Sequence, residues 1–94
     1  MNRTIQISER WAGRRALVRI SGRILTGAAA GRLLLRVRAA LARGMRELTI
    51  DLADLAAIDC GGIGVLLLCF QDASRHGATL RVARSRGPIR TMLA

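Results

Sequence analysis

Ninety-four residues, 51% of them hydrophobic, with a mean hydropathy of +0.28, suit one folded domain over residues 1–94 and exclude a disordered chain. The formal net charge of +10 comes from sixteen arginines and no lysine, so long-range electrostatics favour acidic proteins, nucleic acid or anionic lipid as partners without choosing among them. The longest uncharged apolar stretch, residues 60–70, is too short for a transmembrane segment, and the opening MNRTIQISERW has no apolar run that would direct secretion. A cytoplasmic protein with reduced thiols is expected, since Cys60 and Cys69 are too few for a disulfide scaffold.

Residues 4–7 and 16–21 alternate polar and apolar, with turn material at 9–13 between them, and predict an antiparallel hairpin. Thr26 is placed to cap a helix running to about Arg43 and ending at Gly44, with Ala30, Leu33, Leu34, Val37, Ala40 and Leu41 on one face and Arg32, Arg36 and Arg43 on the wet side. Residues 47–52 (ELTIDL) predict a strand, 53–58 a connection, and Asp59 a cap for a second helix reaching Arg75. On a 100° wheel Val65, Leu66, Cys69, Phe70 and Ala73 share the arc that faces the sheet, and Leu67 and Leu68 fall outside it. His76 and Gly77 make a helix exit, residues 79–83 (TLRVA) a last strand, and Pro88 the start of a short final helix. The order β-β-α-β-α-β-α implies an α/β fold with a four-stranded mixed sheet.

The stretch IDLADLAAIDCGGIGV at 50–65 resembles the central motif of STAS domains, the fold of bacterial anti-sigma factor antagonists. Ser21-Gly22-Arg23-Ile24 at the end of the second strand, Arg75-His76-Gly77, the strand at 80–83 and Pro88-Ile89-Arg90 stand where that family has their counterparts, so the likeness spans nearly the whole chain. In the antagonists the loop reads Asp-Ser-Ser-Gly, an apolar residue and Gly, and the partner anti-sigma kinase phosphorylates the second serine. Here it reads Asp59-Cys60-Gly61-Gly62-Ile63-Gly64, so the resemblance implies that Gly61 occupies the phosphoacceptor position and offers no hydroxyl. Acidic residues usual before the family's first helix are replaced by Gly22-Arg23-Ile24-Leu25-Thr26, and the family's last helix usually continues past the point where this sequence stops, which leaves room for a homodimer.

Chemistry finds little to build on. Asp59 reads as a cap, because a catalytic carboxylate needs a positioned acid or base partner and none is apparent. With His76 the one histidine and no Walker lysine, neither a metal site, nor a His-activated nucleophile, nor a nucleotide cofactor is expected. Cys60 at a helix start is either a reactive thiol or a small half-buried side chain, and Trp11 either anchors a partner or folds back onto the sheet edge. The leading expectation is a non-enzymatic interaction module that binds an anti-sigma factor, a kinase-like protein or another acidic partner through Thr26, Asp59, Cys60, Gly61, Gly62, Gly64, Leu67 and Leu68. The alternatives are an accessory STAS subunit of a transporter or signalling assembly, and an arginine-driven binder of nucleic acid or anionic membrane. Against the last stand arginines spread along the whole chain and a lack of aromatic stacking platforms beyond Trp11 and Phe70.

Overall fold

The computed structural model describes residues 5–83, in which β1 (Gln6–Ala12), β2 (Arg15–Leu25), α1 (Gly27–Ala42), β3 (Glu47–Ile58), α2 (Cys60–Arg75) and β4 (Thr79–Ala83) follow in order. The four strands form one sheet in the order β1-β2-β3-β4. β1 is antiparallel to β2, while β2 with β3 and β3 with β4 are parallel. Both crossovers step the same way along the sheet, which puts both helices on one face of it.

Several boundaries differ from the expectation. The hairpin turn is only Gly13-Arg14, and residues 9–12 are strand: Glu9 pairs with Val18 and Ala12 with Arg15. β2 continues to Leu25, and residues 53–58 are the second half of β3, not a connection. Their alanines and aspartate are weak strand formers, but backbone pairing with Ser21, Gly22, Ile24 and Leu25 holds them extended. The final helix proposed from Pro88 lies outside the described residues.

Inward-facing Val18, Ile20, Leu48, Ile50 and Leu52, together with Leu25 and Leu55, are inaccessible or nearly so and meet Ala30, Leu33 and Val37 of α1 and Leu66, Cys69 and Ala73 of α2. The buried stripe of α2 is Gly62, Leu66, Cys69 and Ala73. Phe70 is one step of about 100° beyond Cys69; it is 37% exposed, contrary to its expected place against the sheet, and Val65 is only partly buried. Trp11 folds back: it is partly buried against the core, and the Arg43 guanidinium lies 4.8 Å over its ring.

The helices run side by side in the same direction. At their starts the backbones of Gly27 and Gly61 meet so closely that a Cβ on Gly61 would lie 3.1 Å from Gly27 Cα. Eleven residues along each helix, Arg38 Nε donates to Asp72 Oδ2 at 2.7 Å. This guanidinium holds the Asp72 carboxyl below its ordinary value.

Candidate functional site

Where β2 and β3 end, the chain turns twice into a helix. Thr26 caps α1, its Oγ1 accepting from Ala29 N at 3.2 Å, and Asp59 caps α2, its Oδ1 accepting from Gly62 N at 2.7 Å. Each cap contributes about 1 kcal/mol. Asp59 N donates to Leu25 O at 3.2 Å, which ties the second turn to the end of β2 beside the first cap. The result is a pair of helix N-termini in backbone contact at the carboxyl ends of two parallel strands. Neither helix carries an acidic residue in its first turn, so the dipoles at this end are offset by the Asp59 side chain alone among the first-turn and capping groups.

The structure brings the expected residues to this one end but gives them different exposure. Cys60, Gly61 and Gly64 are exposed, Thr26 and Asp59 half-buried. Gly62 is buried: a Cβ there would run into the Leu25 carbonyl oxygen and come within 2.8 Å of Ile58 Cγ1. Its place in the surface expected from sequence is therefore corrected to a packing role, because the chain can pass this close to the end of β2 only without a side chain. Gly64 has open space where a Cβ would stand. Farther along α2, Leu67 is 58% exposed and Leu68 43%.

Sequence reasoning set Ile24 before the first helix but did not count it among the expected contact residues. It is 43% exposed and pairs in register with Ala57, two residues before Asp59. Continuation of β2 past Ser21, which the family likeness implied and the alternation alone did not, is what carries Ile24 there.

The two thiols differ. Cys60 is exposed, whereas Cys69 is buried, and burial, with a contribution from the Asp72 carboxylate, pushes its thiol from 9.0 up to about 11. The unfolded chain therefore loses this proton before the folded chain does, so the stabilisation from the buried thiol is intact below pH 9 and declines as pH rises from about 9 to about 11. A melting curve measured across that window should fall in the native chain and flatten in Cys69→Ala; equal slopes would contradict the assignment. The chain has no Tyr and no Lys to obscure the reading. A disulfide-exchange reagent should correspondingly titrate one thiol per folded chain and the second only on unfolding.

Among the described residues no cluster of His, Cys, Asp and Glu could hold a metal ion, and no helix is long and apolar enough to cross a membrane. Compared with known families, residues 7–94 match the one described as "Mlab, STAS domain". The chain belongs to this STAS domain family. Solved structures share its fold. The anti-sigma factor antagonist SpoIIAA in its unphosphorylated form superposes with a TM-score of 0.76 at 13% identity, over 93% of this chain and 80% of that one. An anti-sigma factor antagonist from Mycobacterium paratuberculosis gives 0.79 at 19% identity, over 99% and 77%. Mglu gives 0.75 at 17% identity over 86% of this chain, which spans only 20% of Mglu. No curated protein sequence matches.

Proposed function

We propose that this STAS domain is a non-catalytic interaction module that binds an anti-sigma factor or a related kinase-like protein through the 59–64 loop and the outer side of α2. The observation that carries the reading is the exposure of Leu67 and Leu68 on the outer side of α2, one turn beyond Gly64, whose Cβ position is open, and on the same helix as the exposed Cys60 and Gly61. Clustered large apolar side chains in water next to uncovered backbone are the composition of an interface core. The solved anti-sigma factor antagonists of the same fold support this class of partner, and SpoIIAA has both an unphosphorylated and a phosphorylated form. On this reading Gly61 takes the place of the phosphoacceptor serine of the antagonists that the chain resembles, so the surface is switched by partner supply and not by phosphate.

The arginines favour this reading over a nucleic-acid footprint. Arg15, Arg19, Arg36, Arg38 and Arg75 are engaged with Glu47, Asp51, Glu9 and Asp72, Arg32 donates to Ile5 O, and Arg43 covers Trp11. Charges spent within the domain are withdrawn from phosphate contacts.

The test mixes the domain with a kinase-type anti-sigma factor encoded nearby and follows the complex by size exclusion, with and without ATP. The native chain should form a complex that ATP leaves intact. Gly61→Ser should lose the complex only after incubation with ATP, as a phosphate between the two helix starts introduces roughly −2 charges into the interface. Gly61→Ala, which adds the same Cβ against Gly27 without a hydroxyl, should be insensitive to ATP. Absence of a complex with any such partner would refute the regulatory role.

A further inference from the structure

The face of the sheet turned away from the helices carries a second surface, unrelated to the docking reading above. Cross-strand register sets Arg10, Leu17, Thr49 and Arg81 in one row across all four strands. The neighbouring rows hold further cations that are already neutralised: Arg15 Nε donates to Glu47 Oε2 at 2.6 Å, and Arg19 Nε to Asp51 Oδ2 at 3.3 Å. Arg10 and Arg81, at the two ends of the row, have no ion pair among the described residues. With strands about 4.8 Å apart their Cα atoms are separated by roughly 14 Å, and long arginine side chains leaning inward can meet over Thr49. Above the row lies a hollow of about 530 Å³ whose lining includes Arg10, Arg15, Leu17, Glu47, Thr49 and Arg81, the Glu47 carboxylate being held by Arg15. That volume is in the range of small-molecule sites.

We propose that this hollow binds an organic phosphate monoester. Two unneutralised guanidiniums match the roughly −2 charge of a phosphate monoester at neutral pH, and the guanidinium fork suits its oxygens. The Thr49 hydroxyl, between the two arginines in the row, supplies a further donor. Leu17 as floor and Ala12 beside it give the organic body a small apolar bed, which inorganic phosphate would not use.

The experiment titrates the isotope-labelled full chain with hexyl phosphate at constant ionic strength and follows amide shifts by NMR. It needs no protein partner, so its outcome is independent of the docking proposal. Saturable shifts are expected at Arg10, Leu17, Thr49 and Arg81, with inorganic phosphate binding more weakly at the same amides. The double variant Arg10→Gln/Arg81→Gln should weaken binding about tenfold or more, through loss of two charge-assisted contacts. Arg14→Gln/Arg23→Gln, which removes the same net charge elsewhere, should stay within about twofold. Absence of saturation, or equal weakening in both double variants, would show a diffuse response to net charge and overturn the site.

Discussion

Gly62→Ala should be among the most damaging single-methyl changes in the chain, while Gly64→Ala, two residues on, should leave it more stable. The two glycines share the first turns of α2 but stand in opposite surroundings. At Gly62 the new Cβ meets the Leu25 carbonyl oxygen and comes to 2.8 Å from Ile58 Cγ1, both held by the ends of β2 and β3. Relief requires α2 to lift from the sheet, which strains the 2.7 Å contact from Gly62 N to Asp59 and loosens Leu66 and Cys69 beneath the helix. Overpacking of this kind costs about 1–3 kcal/mol, and part of the cap's contribution of about 1 kcal/mol is lost with it. At Gly64 nothing stands within 4 Å of the Cβ, so the substitution gains helix propensity and reduces unfolded-state freedom, by about 0.4–1 kcal/mol. Urea denaturation of the two variants should therefore move the midpoint in opposite directions. A Gly62→Ala midpoint equal to that of the native chain would mean that the helix does not seat against Leu25.

The contrast shows what could be read in advance. The 59–64 stretch announced a capped helix start, and both caps, Thr26 and Asp59, stand where the pattern put them. A glycine needed for close approach cannot be told from a glycine left open by its letter alone, since the distinction is set by Leu25 and Ile58, which reach the loop through the sheet. The same cause lies behind the boundary errors. Residues 53–58 are strand because β2 extends beside them to Leu25, and neither segment carries the β-branched alternation that would announce it. Phe70 was misplaced because α1 and the sheet bury a stripe of α2 centred on Leu66 and Cys69 that ends just short of it. The α1 core and the outward leucines, by contrast, follow from periodicity within one helix.

That outward pair carries the second large effect. Leu67→Asp/Leu68→Asp should weaken binding to the partner roughly a hundredfold or more while the domain stays folded. Leu67 is 58% exposed and Leu68 43%, and neither belongs to the buried core, so the folded chain loses little when they become polar. In a complex both side chains would be desolvated at the centre of the interface, where truncating a large anchor costs about 2 kcal/mol or more and each ~1.4 kcal/mol is a factor of ten in affinity. Aspartate adds repulsion against an acidic protein, one of the partner classes that a net charge of +10 attracts. Gln71, exposed one turn beyond Leu67, serves as the control: Gln71→Asp introduces the same charge without removing an anchor and should reduce affinity by a smaller factor. Calorimetric titration paired with thermal melting separates the two effects. Binding unchanged within about threefold in the double variant, with native melting, would place the partner elsewhere on the domain and remove α2 from the interface.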